Sequence, residues 1–277
     1  MSELDLALST TPIADEYTWL SRAGMRCERK VFSFDADVYD PANVERVRAM
    51  WLFRMQAEHR STSVFAALCT QLMEARATLD TKGVVLRMAQ DELRHAELCA
   101  EVVRVAGGEP VAETAELAAP VAAHRGASPE ERAMRNVIYG SCLTETVNCA
   151  RFVDALDTIA DPFLHDVTRA LLSDEAHHAQ FGFHYLTAWS AWLERHAEVR
   201  ASISRYLRYA FAVLEREQSA REMAPRVLSV EERALGLPDP ARLQEIFYTT
   251  IEGAVVPSLE KFGIEATRAW RERSFEP

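Results

Sequence analysis

The pattern Asp-Glu-x-x-His occurs twice in the chain, as Asp91-Glu92-Leu93-Arg94-His95 and as Asp174-Glu175-Ala176-His177-His178. In a helix, a glutamate and a histidine three residues apart lie on one face, so both side chains can reach the same metal ion. A single copy of such a short pattern is usually a solvated helix face. Two copies in step with apolar residues instead predict two helices that each present a pair of metal ligands.

Apolar residues at helical spacing surround both stretches and recur in two further segments. In the first segment, residues at steps of three or four from Val47 to Leu72 form an apolar face that includes Glu58. The third segment has a similar face that includes Glu145. Such spacing is typical of the buried side of a helix. We therefore predict four long helices, each with at least one glutamate on its inner face.

The spacing of these glutamates predicts how the helices are connected. Glu92 follows Glu58 by 92 − 58 = 34 residues, and Glu175 follows Glu145 by 175 − 145 = 30 residues. Short turns within each interval make each helix pair an antiparallel hairpin. A linker over 107–128 is long enough to run the length of the bundle and to place the third helix parallel to the second. The expected fold is all-α, a four-helix bundle with one long crossover, as in ferritin-like proteins.

Composition shifts suggest three regions around this bundle. Residues 1–42 are mixed in character and are expected to form an extended N-terminal segment. Residues 43–195 are expected to form the four-helix bundle. Residues 196–277 are expected to add C-terminal helices packed on the bundle, broken at Pro225, around 236–240 and at Pro257.

The four inner faces together carry six residues that can bind metal. Burying six ionisable groups in one core without a cation would cost many kcal/mol, so the pattern predicts a pair of metal ions. Two lone glutamates and two Glu-x-x-His motifs in the core of a helical bundle are the ligand set of a carboxylate site for two metal ions. The predicted metal ligands, of which the four glutamates are also the predicted catalytic residues, are Glu58, Glu92, His95, Glu145, Glu175 and His178.

An aspartate precedes each motif. A metal-bound histidine normally donates its other ring N–H to a carboxylate, which fixes its orientation. Asp91 is therefore expected to support His178 across the core, and Asp174 to support His95. The alternative is that the two aspartates only solvate their helices.

On these motifs the chain resembles the ferritin-like di-iron carboxylate superfamily. That superfamily includes rubrerythrins, ferritins, acyl-carrier-protein desaturases, ribonucleotide reductase small subunits and bacterial monooxygenase hydroxylase subunits. The resemblance covers about residues 43–195 and implies two iron ions held by the six predicted ligands, with Glu92 and Glu145 as bridges. A manganese–iron pair is the alternative metal content.

The resemblance implies an enzyme, an oxidoreductase that uses O₂ as co-substrate to oxidise or oxygenate a small organic molecule. Its partners would be that substrate and an external electron donor. One alternative is an iron-handling protein, either a ferroxidase or a peroxide-reducing protein of ferritin or rubrerythrin type. A second alternative is a non-catalytic helical scaffold, which requires the six ligands to be accidental.

Four further residues near the motifs have two interpretations each. Cys99, one turn past His95, stands where superfamily members that store a tyrosyl radical have tyrosine, and where monooxygenase hydroxylase subunits have cysteine. Cys99 and Cys149 either line the same pocket or are small buried apolar residues. Gly182 either leaves room for a ligand or permits close helix packing. Tyr185 either binds a ligand or is a core residue.

Composition excludes several other classes of protein. Lys and Arg total 31 against 42 Asp and Glu, a net charge of −11 that argues against nucleic acid as the main partner. No apolar run approaches the roughly 20 residues of a membrane span. Five cysteines without paired spacing, and an N-terminus without signal-peptide features, predict a reduced, cytoplasmic protein. Exposed helix faces are compatible with a homodimer.

Overall fold

The computed structural model describes residues 2–5, 33–114, 116–219 and 227–275. These residues are predominantly helical, which confirms the all-α prediction. Strand β1 (Ser2–Asp5) pairs antiparallel with strand β2 (Val111–Thr114), so that Leu4 lies opposite Ala112. The strand pair was not predicted, because it joins segments more than 100 residues apart.

The first two long helices form a hairpin. Helix α1 (Pro41–Glu74) begins after Asp40, whose carboxylate accepts a hydrogen bond from the Ala42 amide. Helix α2 (Leu79–Val105) follows after four residues. Near the start of α1, Arg48 donates to the carbonyl of Gly107, just past the end of α2, at 3.2 Å. The two helices are therefore antiparallel.

The second pair begins with a helix in three parts, α3. Its segments are Pro129–Val137, the π-helical Ile138–Glu145, and Thr146–Thr158. Helix α4 (Pro162–Ala188) follows. Both starts were predicted from the sequence and are capped as expected. Ser128 accepts from the Glu131 amide at 3.2 Å, and Asp161 accepts from the Leu164 amide at 2.9 Å.

Contacts between α1 and α3 fix the direction of the crossover. Asn136, near the start of α3, donates to Gln71, near the end of α1, at 2.7 Å. Because α1 is antiparallel to both α2 and α3, the latter two helices run in the same direction. The connection between them, which includes β2, must therefore span the length of the helices.

In the ranges that the structure describes, five further helical elements follow α4. They are α5 (Ser190–Arg195), α6 (Ala197–Ser219), α7 (Val230–Ala234), α8 (Pro240–Thr250, continued by the π-helical Ile251–Val255 and by Val256–Glu260) and α9 (Ala266–Arg271). Phe211 of α6, Phe247 of α8 and Trp270 of α9 share one buried apolar cluster with Leu143 of α3. The C-terminal helices thus cover the outside of α3.

The sequence predicted helix breaks at Pro225 and at Pro257 in the C-terminal region. The expected break at Pro257 is wrong, because α8 continues through it. Proline lacks the amide that an α-helix would use, and the wider π-helical turn just before it accommodates the ring. Pro225 lies outside the described residues, as do most of the predicted N-terminal extended segment and Cys27. Across the described ranges, no helix combines the length and apolar character needed to cross a bilayer.

Candidate metal centre

The four long helices bring all six predicted ligands together at one level of the helix assembly. One group consists of Glu58, Glu92, His95 and Glu175, and the other of Glu92, Glu145, Glu175 and His178. Within each group, one potential ligand atom from every residue lies within 4.8 Å of the others. Every member is buried except Glu58, which is half-buried. The arrangement can hold two metal ions side by side.

Two glutamates are common to both groups. Glu92 and Glu175 belong to each, whereas Glu145 belongs only to the group that contains His178. Glu175 thus accompanies Glu92 in both groups, and the expectation that Glu92 and Glu145 bridge the metals stays a prediction. The two Glu-x-x-His helices contribute the carboxylates common to both groups, and α1 and α3 contribute one further carboxylate each.

The histidine rings direct one nitrogen toward the centre. His95 Nδ1 lies 3.1 Å from a Glu175 oxygen and 3.6 Å from a Glu58 oxygen. His178 Nδ1 lies 3.1 Å from a Glu92 oxygen and 3.4 Å from a Glu175 oxygen. The ring centroids are 5.7 Å apart. Each group thus receives one imidazole nitrogen.

The opposite ring nitrogens meet the two aspartates across the core. His95 Nε2 lies 3.3 Å from Asp174, and His178 Nε2 lies 3.5 Å from Asp91. This confirms the crossed pairing expected from the sequence. An Nε2–H that donates to aspartate leaves the lone pair of Nδ1 free to bind a metal.

Arg94 completes this outer layer, and the sequence reasoning missed it. The guanidinium is buried and forms ion pairs with Asp174 and, at 3.0 Å, with Asp91. Arg87 also pairs with Asp91, at 2.7 Å. The signal in the sequence was a charged residue beside His95 in an otherwise buried stretch. Arg94 and Arg87 together balance the charges of the two aspartates, and Arg94 contacts both of them behind the histidines.

The electrostatics of the cluster favour a cation. Burial and the neighbouring Glu175 raise the pKa of Glu92 to about 8. Burial, Glu175 and Glu92 also raise the pKa of Glu145 well above its usual value. Burial alone would raise the pKa of Glu175 too, but contacts with His178 and His95 hold it well below the usual value. In the absence of a cation, Glu92 and Glu145 therefore favour their neutral forms near pH 7, and a bound cation would displace these protons.

Several buried carboxylate oxygens and imidazole nitrogens at the centre make no hydrogen bond within the described part of the chain, so they are available to bind a metal ion. Glu92 Oε1, His95 Nδ1, Glu175 Oε2 and His178 Nδ1 are buried, and among the described residues none of them meets the geometry of a hydrogen bond, although carboxylate oxygens lie 3.1–3.6 Å from the two nitrogens. These atoms face one another between the helices, and buried polar atoms without partners are costly. Carboxylate oxygens and imidazole nitrogens together suit iron or manganese. The donor set therefore fits a pair of such ions.

Close packing beside the centre explains Gly182. A Cβ atom on Gly182 would lie 2.6 Å from Cys142 Sγ and 2.8 Å from Ser141 Cβ. Both neighbours belong to the π-helical segment of α3 that ends at Glu145. Of the two interpretations of Gly182, close helix packing is the one that the contacts support.

Cys99 and Tyr185 are buried, and Cys149 is half-buried. Burial and Glu58 raise the pKa of Cys99 well above its usual value, and burial raises that of Cys149. Burial also raises the pKa of Tyr185, whose hydroxyl has no hydrogen-bond partner among the described residues. All three therefore remain protonated at neutral pH.

No protein-family model matches the chain, and no curated protein matches it. The side chains themselves define a broad class. The chain is a predominantly helical protein with a buried cluster of glutamates and histidines that could bind metal.

Proposed function

We propose that the protein is a non-haem di-iron oxidoreductase that activates O₂ to oxidise or oxygenate a small organic substrate. The observation that carries this proposal is the pair of four-ligand groups that share Glu92 and Glu175. A single structural metal would need only one such group. Two adjacent groups, each with one imidazole, suit a pair of redox-active ions.

The helix directions support a ferritin-like bundle as the scaffold. Helices α1 and α2 form one hairpin, α3 and α4 carry the second half of the site, and the crossover makes α2 and α3 parallel. This is the single-crossover arrangement in which such carboxylate sites occur. The second candidate metal content is a manganese–iron pair, because both ions accept the same donor set.

The proposed roles of the residues follow from their positions. Glu58 and His95 would hold one ion, Glu145 and His178 the other, and Glu92 and Glu175 would lie between them. When bound, two ferrous ions supply electrons for the reduction of O₂. Asp91 and Asp174 orient the histidines, and the buried surroundings keep water away from the centre.

The proposal includes two partners besides O₂. An external electron donor would restore the ferrous state, since none of the titratable groups described can supply repeated reducing equivalents. The organic substrate would approach from the end of the site that contains Cys99. The cysteine at that position favours oxygenation over radical storage, by the resemblance to monooxygenase hydroxylase subunits.

Anaerobic titration with ferrous ion, followed by exposure to O₂, tests the proposal. We expect Mössbauer spectra to show two irons per chain, and O₂ consumption to be lost in Glu145→Ala and His178→Ala while circular dichroism shows intact helices. Full activity in these variants would show that the site is assigned incorrectly. Oxidation of excess ferrous ion over many turnovers would instead support a ferroxidase, and the absence of stoichiometric metal would support a scaffold.

A further inference from the structure

Arg54 lies on α1, one turn before Glu58. Its guanidinium carbon stands 4.8 Å from the ring centroid of Trp51 and 4.7 Å from that of Phe152. The side chain is half-buried. Contacts with two aromatic rings restrict the guanidinium to one place and keep its apolar stem packed.

No carboxylate or carbonyl oxygen of the described residues pairs with this guanidinium. Several other half-buried or buried arginines among the described residues do have such partners. Arg94 pairs with two aspartates, Arg135 pairs with Glu131, and Arg273 pairs with Glu215 at 2.7 Å. Arg54 is therefore a positive charge held against two aromatic rings, and no carboxylate or carbonyl oxygen of the described residues accepts a hydrogen bond from it.

The apolar side chains around Arg54 border the metal centre. Trp51, Phe152, Cys99 and Leu171 belong to one buried apolar cluster. Cys99 follows His95 by one turn of α2, and Leu171 precedes Glu175 by one turn of α4. Burial and Glu58 raise the pKa of the Cys99 thiol, and the positive charge of Arg54 lowers it, so Arg54 is close enough to Cys99 to interact electrostatically. Arg54 thus lies at the end of the centre formed by Glu58 and His95.

A buried donor lies beside Arg54. The indole nitrogen Nε1 of Trp51 has no hydrogen-bond partner among the described residues, and Trp51 is only 1% exposed. On α4, Thr168 lies two turns before Glu175, and its buried hydroxyl also has no partner in the part of the chain that the structure describes. Arginine and tryptophan can only donate hydrogen bonds. The group that would satisfy them must therefore accept hydrogen bonds and, opposite arginine, carry negative charge.

We propose that Arg54 binds a carboxylate of the substrate, so that the substrate is a small organic acid whose apolar body lies among Trp51, Phe152 and Cys99. This inference rests on the proposed function for the statement that the bound acid is a substrate. Guanidinium binds carboxylate through two parallel hydrogen bonds and so fixes orientation as well as position. Arg54 is a binding residue in this account, and the reaction itself takes place at the metal centre.

Binding of model acids in the absence of turnover tests the inference. Protein loaded with Zn²⁺, which takes similar ligands but has no redox chemistry, is titrated by calorimetry with butanoate, hexanoate, benzoate and phenylacetate. Each acid is compared with its own amide, which has similar shape but no charge. We expect at least one acid to bind about tenfold or more tightly than its amide, the usual scale for a charged hydrogen bond.

Three variants test whether Arg54 causes the preference for an acid over its amide. Arg54→Gln is expected to bind acid and amide equally, and Arg54→Lys to retain part of the preference. Arg60→Gln, on the far side of the same helix, is expected to behave as the wild type. Circular dichroism and thermal unfolding verify that each variant is folded.

Two results would overturn the inference. One is that no acid in the panel is preferred over its amide by the wild-type protein. The other is that Arg54→Gln retains the preference, which would place the carboxylate on the metal ions or elsewhere. Because these titrations involve no O₂, their failure is distinct from failure of the proposed oxidase activity, which is measured as O₂ consumption by the iron-loaded protein.

Discussion

At the scale of single residues, Asp91 and Asp174 each contact a histidine that is distant in the sequence, so a substitution of either aspartate affects the opposite motif. Asp174 belongs to the motif of His178 but contacts His95, and Asp91 belongs to the motif of His95 but contacts His178. Arg94 connects the two aspartates. Each histidine is thus oriented by the opposite helix, so the two halves of the site depend on each other.

Replacing Asp174 tests this dependence. Asp174→Asn keeps the shape of the side chain but removes the charge that supports His95 and pairs with Arg94. We expect ferrous ion to bind about 10–100-fold more weakly while the helices stay formed. Asp166→Asn is the matched control, because Asp166 is a buried aspartate on the same helix that pairs with Arg169 at 2.6 Å. Equal iron affinity in Asp174→Asn and wild type would contradict the supporting role.

Replacing Glu92 is expected to change the free energy of unfolding in opposite directions in the metal-free and the metal-loaded protein. The folded-state pKa of Glu92, about 8, lies above the usual value of 4.5, so this group destabilises the metal-free protein at pH 7. Glu92→Gln removes this penalty and should stabilise the metal-free protein by about 1–3 kcal/mol at pH 7. The gain should vanish as the pH falls to about 4.5, where the unfolded chain also binds the proton. Urea unfolding at several pH values measures it.

The same substitution should have the opposite effect once iron is bound, because a shared ligand is lost. Glu45→Gln, on the exposed part of α1, is the control and should change stability by less than about 0.5 kcal/mol. A metal-free Glu92→Gln protein that is less stable than wild type at pH 7 would show that the carboxylate is needed for packing rather than for metal.

At the scale of elements, the π-helical segment of α3 positions Glu145. The segment ends at Glu145, and α4 approaches it closely because Gly182 has no side chain. Helix starts could be predicted from the sequence, since Ser128 and Asp161 are local capping residues. The π-helical turns could not, because they depend on how α3 packs against α4 rather than on a short sequence pattern.

Gly182→Ala tests the close approach of the two helices. Alanine would improve the intrinsic helix preference by about 1 kcal/mol, but its Cβ would lie 2.9 Å from the backbone nitrogen of Cys142. We expect a net loss of about 1–3 kcal/mol in the free energy of unfolding. Gly83→Ala is the control, because a Cβ there meets nothing within 4 Å, and it should stabilise the protein. Equal stability of Gly182→Ala and wild type would refute the packing explanation.

At the scale of the whole molecule, the sequence predicted the six residues that lie together, but not that Glu175 belongs with Glu92 to both groups of potential ligands. The six candidate ligands could be predicted from local helical spacing and from hairpin lengths. The sharing of Glu175 depends on the depth at which α2 and α4 meet, and the pairing of β1 with β2 depends on contacts between distant segments. The position of Arg54 against two aromatic rings also becomes visible only when the helices surrounding it are known.

The most direct test of the central claim is a crystal structure of protein grown anaerobically with ferrous ion, with data collected at the iron absorption edge. The account predicts two adjacent anomalous peaks per chain. One peak should lie among Glu58, His95 and the shared glutamates, and the other among Glu145, His178 and the same glutamates. No peak between the helices, or Glu58 and Glu145 turned outward into solvent, would contradict it.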